Sequence, residues 1–245
     1  MHASCVVPLM VAVQADPAAA LLRRLQAAMV QTFGHARRAP ADRPAPEWAL
    51  VQGLIGSRMP SGQSSAVADR LLAQHGSWNA VAALPLADLT AALKGVRFPN
   101  QAAKRVHDVL NAVRERVGSV SLSTLTAMTD DEAMGWLEAL PGTGRKIAAQ
   151  VLNTSPLARR VLVIDTHHLR ITQRLGLVAA KADAAQAFAP LMALSPEEWT
   201  AADLDEHHML MKKLGQTFCK PTTPLCRDCP ALSLCPTGAA RTGGI

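Results

Sequence analysis

The chain of 245 residues contains no tyrosine and only four phenylalanines and four tryptophans. Proteins that hold single-stranded RNA or DNA commonly stack the unpaired bases on aromatic side chains. So few rings argue against an RNA-recognition sheet or a single-strand-binding barrel. Binding of a duplex through its phosphates stays open, because backbone amides and cationic side chains bind phosphates.

The sequence also lacks long apolar segments and an acidic excess. The stretch Val6 to Val13 is too short to span a bilayer, and it lacks the basic flank and the small-residue cleavage site of an export signal. The 25 Lys and Arg residues outnumber the 19 Asp and Glu residues, and the formal net charge of +6 suits a polyanionic partner. We therefore expect a soluble, cytoplasmic protein with no membrane partner. The Ala- and Arg-rich composition indicates a bacterial source, and we expect a monomer.

No segment shows the sustained period-two alternation of a half-buried strand. Apolar residues instead recur at helical spacing, and alanine, a strong helix former, is plentiful. Examples are Trp48, Val51, Leu54 and Ile55, and later Val106, Val109, Leu110 and Val113. The pattern predicts an all-α fold. The short apolar run Val161 to Ile164 is predicted to be a buried extended connector.

Cysteine is scarce except near the C-terminal end, where Cys219, Cys226, Cys229 and Cys235 form a C-x6-C-x2-C-x5-C run. Soft thiolates favour zinc, copper(I) or iron-sulfur centres. Structural zinc sites usually use two short knuckles far apart, whereas a four-iron cluster tolerates this compact, uneven spacing. Disulfides would require an oxidising compartment. We predict a [4Fe-4S] cluster, with zinc as the alternative, and no ligand role for Cys5.

A glycine-rich turn, Leu140-Pro-Gly-Thr-Gly-Arg-Lys146, lies between two helical patterns. Glycines there allow unusual dihedrals and let a phosphate approach the bare amides at the start of a helix. Such a hairpin holds the DNA backbone without reading its sequence. The predicted DNA contacts are Gly142, Thr143, Gly144 and Arg145. An ordinary turn between helices is the alternative.

Lys146 ends this turn, and Asp165 follows nineteen residues later. An amine beside a bound strand can act as a nucleophile when burial or nearby cations depress its pKa, and a carboxylate is its natural partner. Asp165 precedes a helical pattern and can cap it. From spacing alone, a phosphate contact for Lys146 and a simple helix cap for Asp165 remain open.

These segments together resemble the endonuclease III family of helix-hairpin-helix DNA glycosylases. The resemblance rests on Leu140 to Lys146, on Val163-Ile-Asp-Thr-His167 with Arg170 and Arg174-Leu175-Gly176 behind it, and on the four-cysteine loop, all in the family's order. It implies an all-α, two-lobed helix-hairpin-helix glycosylase fold. Residues 40–158 would form a six-helix barrel, and residues 1–39 and 159–245 a discontinuous helical iron-sulfur cluster domain.

The resemblance also implies a function: base-excision repair of double-stranded DNA that contains a damaged base or an abasic site. Lys146 matches the family's lyase nucleophile and Asp165 its catalytic aspartate, so a bifunctional glycosylase and AP lyase is expected, possible substrates including an oxidised pyrimidine. The cluster would be structural and would direct Lys220 and Arg227 at phosphates, with His167 as a further phosphate contact. Such a protein would associate with the nucleoid.

Two segments depart from the family's pattern. Arg58 stands where a glutamine usually fills the gap left by the flipped base, and a guanidinium has no hydrogen-bond acceptor. Val96, Arg97 and Phe98 are the candidates for the wedge that enters the duplex, with an ordinary surface loop as the alternative. These departures leave open a noncatalytic DNA-binding sensor of damage or redox state, an AP lyase alone, or a glycosylase for an unusual lesion.

The pairs His167-His168 and His207-His208 resemble metal ligands at first sight. Adjacent residues on a helix point in different directions, so two neighbouring histidines do not converge on one ion. We predict that they pack in the interior or contact phosphates.

Overall fold

The computed structural model describes residues 17–56 and 59–243. Within these ranges it contains twelve α-helices and no strand, which confirms the all-α prediction. The helices are α1 (Pro17–Phe33), α2 (Pro46–Ile55), α3 (Ser61–His75), α4 (Trp78–Ala82), α5 (Leu86–Ala92), α6 (Pro99–Val117), α7 (Asp130–Glu138), α8 (Arg145–Thr154), α9 (Thr166–Arg174), α10 (Ala184–Leu194), α11 (Ala201–Thr217) and α12 (Pro236–Thr242). None of them is long and apolar enough to cross a membrane.

Local sequence signals set the helix ends. Thr129 at the start of α7 forms a reciprocal capping box with Glu132, which pairs two backbone N–H groups that the helix itself leaves unbonded. Pro99 begins α6, where the missing N–H costs nothing. Gly118 ends the same helix with a φ of +81°, a left-handed conformation that favours glycine.

The largest hydrophobic core lies among α2 to α8. The central helix is α2, in which every residue from Ala49 to Ile55 is buried. Gly53 allows α8 to approach, since a Cβ at this position would lie 3.1 Å from Ile147 Cγ2. Within residues 40–158 the described part of the chain holds six longer α-helices and the five-residue α4.

Two smaller cores lie outside this barrel. One joins α1, α9, α11 and the cysteine loop, and it includes Leu25, Met29 and Leu214. The other packs α10 and α11 against the extended segment 161–164. In that segment Val161 and Val163 face the barrel core, while Leu162 and Ile164 face the third core. The predicted buried connector is therefore confirmed. The division of the chain at residues 39 and 158 stays a prediction.

The close packing of α11 on α9 depends on one glycine. A Cβ added at Gly215 would lie 2.6 Å from the Cβ of His167, closer than such atoms approach in proteins. We expect Gly215→Ala to force the two helices apart and to lower the free energy of unfolding by about 1–3 kcal/mol. Thermal and urea unfolding would measure the change.

Gly135 provides the matched control. It lies in the interior of α7, and a Cβ built there meets nothing within 4 Å. Gly135→Ala should therefore stabilise the protein by about 0.5–1 kcal/mol, because alanine restricts the unfolded chain more than glycine does. Equal stability of Gly215→Ala and the wild type would contradict the proposed tight contact.

Candidate active site

Lys146 is the second residue of α8, directly after the glycine-rich hairpin. Its Nζ donates a hydrogen bond of 2.5 Å to Oε1 of Gln150, one turn further along the helix. Burial is the largest influence on the amine and lowers its pKa; the negative charge of Asp165 raises it, and the positive charge of Lys212 lowers it further. The resulting pKa of Lys146 is about 8. A useful fraction of this amine is therefore neutral near physiological pH.

Asp165 is the N-cap residue of α9, as the sequence predicts. Its Oδ1 accepts hydrogen bonds of 2.8 Å from the backbone N–H groups of both His167 and His168. Burial raises the pKa of Asp165, but the influence of His208 and the backbone N–H of His168 outweigh it, so the pKa lies below its usual value. The carboxylate is thus ionised near neutral pH, and it is close enough to Lys146 to act on the pKa of the amine.

Two buried histidines, His168 and His208, lie near this carboxylate, and a third, His207, packs beside them. Burial lowers the pKa of His168 to about 4 and that of His208 to about 3, and it lowers the pKa of His207 as well. The ring of His207 lies 5.3 Å from that of His168 and 4.9 Å from that of Trp199. These histidines are neutral packing groups, and the sequence did not indicate that His168 and His208 would lie near Asp165.

Lys212 is a site residue that the sequence motifs did not indicate. It lies on α11, and its Nζ donates a hydrogen bond to Oγ of Ser61, the first residue of α3. Its charge acts on both Lys146 and His208. Helical periodicity could have indicated that Lys212 lies near the site, because it places Lys212 on the same helix face as His208, four residues earlier.

The hairpin uses its two glycines differently. Gly142 has a φ of +76°, and Arg105 covers it, with Cδ 3.5 Å from where a Cβ would be. Gly144 is the N-cap of α8 with a φ of −90°, so of the two glycines only Gly142 uses the left-handed conformation that glycine allows. Nothing lies within 4 Å of a Cβ at Gly144, and its surface is open to a ligand.

Two other hairpin residues face the protein rather than open solvent. Thr143 is 4% exposed, its buried hydroxyl has no hydrogen-bond partner among the described residues, and its backbone N–H already donates to the carbonyl of Leu140 at 3.1 Å. Nε of Arg145 lies 2.7 Å from Oε1 of Glu138, and its guanidinium lies 4.9 Å from the ring centre of Phe188. The side chain predicted to bind DNA is thus already paired.

Three further predicted DNA contacts lie on other segments of the chain. Lys220 and Arg227 are exposed on the cysteine loop, and Arg97 is exposed before α6, 5.6 Å from the ring of Phe98. Of the wedge candidates, Val96 is buried in the barrel core, which leaves Arg97 and Phe98 at the surface.

His167 is partly buried beside Gly215, and its Nδ1 is 3.0 Å from Nη2 of Arg170. Arg58 and Cys5 lie outside the described residues.

The four cysteines of the loop line one cavity together with Arg174 and Phe218. None of the four forms a disulfide. Sγ of Cys219 accepts a hydrogen bond of 3.1 Å from Nη1 of Arg174, and Sγ of Cys235 accepts one of 3.3 Å from the backbone N–H of Gly238. Across residues 17–56 and 59–243, no group of three or more potential ligands is already arranged around a metal position.

The chemistry of these donors fits a cationic metal centre. Burial is the main cause that raises the pKa of Cys229 to about 11, and the charges of the other three cysteines raise it further. Four thiolates would repel each other here unless a metal shared their charge and displaced their protons. The N–H groups of Arg174 and Gly238 are suited to stabilise sulfur that carries negative charge.

The chain is similar in sequence to curated bacterial proteins, although no family model matches it. It is 31% identical over 160 residues to endonuclease III of Bacillus subtilis, covering 65% of this chain and 66% of that protein. It is 35% identical over 99 residues to endonuclease III of Rickettsia prowazekii, covering 40% of this chain and 44% of that protein. The matched segments thus span about two thirds of the first relative and less than half of the second.

Solved structures share the fold over nearly the whole chain. A non-covalent endonuclease III–DNA complex superposes with a TM-score of 0.73 and 23% identity, covering 91% of this chain and 97% of the other. A thermostable thymine-DNA glycosylase gives a TM-score of 0.72 and 15% identity, covering 92% and 100%. The fold and the related sequences agree. The chain belongs to the endonuclease III family of helix-hairpin-helix DNA glycosylases.

Proposed function

We propose that this protein is a DNA glycosylase with associated AP lyase activity that acts in base-excision repair. Its substrate would be double-stranded DNA with a modified base, possibilities including an oxidised pyrimidine, or with an abasic site. One observation carries the proposal: the amine of Lys146 has a pKa lowered to about 8 by burial, and the Asp165 carboxylate lies near enough for its charge to act on that amine. A nucleophile with a depressed pKa beside a fixed anion is typical of a catalytic site.

The proposed reaction begins when the damaged nucleotide leaves the duplex and enters the pocket. The neutral amine of Lys146 attacks C1′ of the sugar, a C1′–N bond forms, and the bond to the base breaks with its electron pair leaving on the base, which takes up a proton. The attached nitrogen loses one proton, and its lone pair forms a C1′=N bond while the C1′–O4′ bond breaks; the electron pair of that bond goes to O4′, which takes up a proton, and the product is a Schiff base between Lys146 and C1′. Loss of the acidified C2′ proton then expels the 3′ phosphate by β-elimination and cuts the strand.

Asp165 would act as a fixed anion during these steps. Positive charge develops on the sugar as the base leaves, and a carboxylate in a buried pocket stabilises it without reorganising. The two backbone N–H groups that hold Oδ1 keep the second oxygen, Oδ2, available to the substrate. The hairpin would hold the phosphates through its backbone amides, chiefly around Gly142 and Gly144.

The first test uses the wild-type protein, an end-labelled duplex with one abasic site, and borohydride. We expect a covalent protein–DNA adduct, because borohydride reduces the Schiff base to a stable amine. A set of duplexes, each with one lesion, would then identify the base that is removed. Binding of the abasic duplex without any adduct would overturn the proposal and favour a noncatalytic DNA-binding sensor.

A [4Fe-4S] cluster held by Cys219, Cys226, Cys229 and Cys235 is the proposed cofactor, with a structural role. It would fold the loop and present Lys220 and Arg227 to the phosphates. We expect about four iron atoms and four sulfides per chain in protein purified without oxygen. Cys229→Ser should lose most of this iron and unfold at a lower temperature.

Cys5→Ser is the matched control, since Cys5 has no predicted ligand role, and it should keep the iron of the wild type. Iron and acid-labile sulfide analysis, with visible absorption, would measure both variants. Stoichiometric zinc without iron in the wild type would contradict the cluster assignment and support the zinc alternative.

We further propose that the protein is a monomer in the bacterial cytoplasm and associates with the nucleoid, where duplex DNA is concentrated. The proposed division into a barrel of residues 40–158 and a cluster domain of residues 1–39 and 159–245 would place DNA across the cleft between them. Sedimentation of the protein alone and with a short duplex would test the monomer and a complex of one protein per duplex.

A further inference from the structure

A chain of hydrogen bonds extends from Lys146 into the protein. Nζ of Lys146 donates to Oε1 of Gln150, and Nε2 of Gln150 donates to Oε1 of Gln52 at 2.6 Å. Nε2 of Gln52 donates to Oγ of Ser64 at 2.7 Å, and this hydroxyl donates to the backbone carbonyl of Ser61 at 2.9 Å. Every bond points the same way, from the amine toward the start of α3. Bonds arranged in this sense strengthen one another.

A backbone group fixes which way the Gln150 amide faces. Its Nε2 also lies 3.2 Å from the carbonyl oxygen of Ala49 on α2, an atom that can only accept. The nitrogen must therefore face α2, and the carbonyl oxygen must face Lys146. The amide cannot turn over without losing both of its donated bonds.

The inner part of this chain is fully buried. Gln52 is 9% exposed and Ser64 is not exposed at all, so the loss of one partner would leave a polar group without water. Lys212 supports the far end, because it donates to Oγ of Ser61 in the residue whose carbonyl ends the chain. This chain of hydrogen bonds thus connects α8, α2 and α3, and Lys212 on α11 adds a further hydrogen bond at its far end.

We propose that Gln150 is a positioning residue that orients the nucleophilic amine of Lys146, an inference that rests on the proposed function. A neutral amine has two N–H groups and one lone pair. The locked carbonyl oxygen of Gln150 accepts one N–H and cannot donate to the lone pair. The lone pair therefore occupies one of the two positions on the nitrogen that do not face Gln150, and the hydrogen bond restricts rotation of the amine about its Cε–Nζ bond to these two orientations.

Other charged groups around the amine affect its protonation rather than its direction. Asp165 from the start of α9 raises the pKa of Lys146, whereas Lys212 from α11 lowers it. His208, also on α11, is neutral at physiological pH because burial lowers its pKa to about 3. Gln150 is neutral, and it can orient the amine without holding it in the protonated form.

Two substitutions separate orientation from charge. Gln150→Met keeps the length of the side chain and removes the acceptor, so we expect the maximal single-turnover rate of adduct formation to fall about tenfold or more, with little change in the DNA concentration at half-saturation. Gln150→Glu keeps an acceptor and adds a negative charge, which should move the pH midpoint of adduct formation upward by about one unit from the wild-type value near 8.

Gln52→Met is a second variant that interrupts the chain one step further away, and it should lower the maximal rate less than Gln150→Met does. Gln63→Met is the matched control: Gln63 is exposed on α3, and both the rate and the pH midpoint should stay at wild-type values. If Gln150→Met does not fold, the inference is tested by two other measurements: the maximal rate of adduct formation of Gln52→Met and the pH midpoint of adduct formation of Gln150→Glu. A wild-type rate in both methionine variants with an unmoved midpoint in Gln150→Glu would overturn the inference.

A measurement without DNA separates this inference from the proposed function. Brief acetylation with acetic anhydride across a pH series, followed by peptide mass spectrometry, gives the pKa and the reactivity of the Lys146 amine alone. A raised pKa in Gln150→Glu and a slower reaction in Gln150→Met would support the orientation. The acetylation results could support the role of Gln150 while neither the wild type nor any variant forms a DNA adduct. That combination would reject the proposed lyase activity and keep the proposed role of Gln150.

Discussion

Lys146→Gln is expected to abolish both the borohydride-trapped adduct and strand cleavage at an abasic site. A glutamine amide nitrogen has no lone pair available for attack and forms no Schiff base, so the rate should fall on the order of 10³-fold or more. Binding of the duplex should be largely retained, because the side chain is partly buried and its amine is hydrogen-bonded to Gln150 rather than presented to phosphates. Denaturing gels of the cleaved strand and a gel-shift titration would measure the two effects.

Lys181→Gln serves as the control for charge. Lys181 is exposed between α9 and α10, so the same substitution removes one positive charge away from the pocket. It should cleave the abasic strand and form the adduct at wild-type rates. Cleavage by Lys146→Gln equal to that of the wild type would reject Lys146 as the nucleophile.

The second large effect is expected from Asp165→Asn. Asparagine caps a helix about as well as aspartate does, so α9 should keep its start and the stability should hardly change. The negative charge is lost, and excision of a damaged base should fall by roughly 10²–10³-fold, a typical cost of losing one electrostatic contact to a transition state. The adduct with a preformed abasic site should suffer less, because no base has to leave.

Asp183→Asn is the matched control. Asp183 caps α10 in the same manner, with its carboxylate accepting from the backbone N–H of Gln186. Its substitution should leave excision and lyase rates unchanged. Single-turnover rates on a lesion duplex and on an abasic duplex, with thermal unfolding of each variant, would test the pair. Equal losses in Asp165→Asn and Asp183→Asn would reject the special role of the Asp165 charge near Lys146, because both variants keep a helix cap and lose one negative charge.

Features carried by neighbouring residues could be predicted from the sequence. Helical periodicity gave the helices, the hairpin lies between α7 and α8 as its glycines indicated, and Asp165 caps α9. Each depends on a few consecutive side chains and the backbone geometry that they favour. The four cysteines also share one cavity, since sixteen residues of chain can bring their sulfurs together.

Contacts between distant segments could not be predicted. Gln150 and Gln52 are 98 residues apart, and Lys212 and Ser61 are 151 apart, so neither pair has a local signal. Arg145 has the charge expected of a phosphate contact, but Glu138 and Phe188 pair with it. Packing between helices decided these cases, and single-sequence patterns contain little information on it.

The connector from Val161 to Ile164 has a consequence for the precision of the pocket. Its side chains are anchored alternately in two separate cores, and the next residue in the chain is Asp165. Four anchored side chains allow the backbone little freedom to slide or rotate before it reaches that carboxylate. The position of the carboxylate is therefore fixed relative to the barrel that bears Lys146. A substitution that loosens either core would make the distance between Lys146 and Asp165 more variable, even though it changes neither residue.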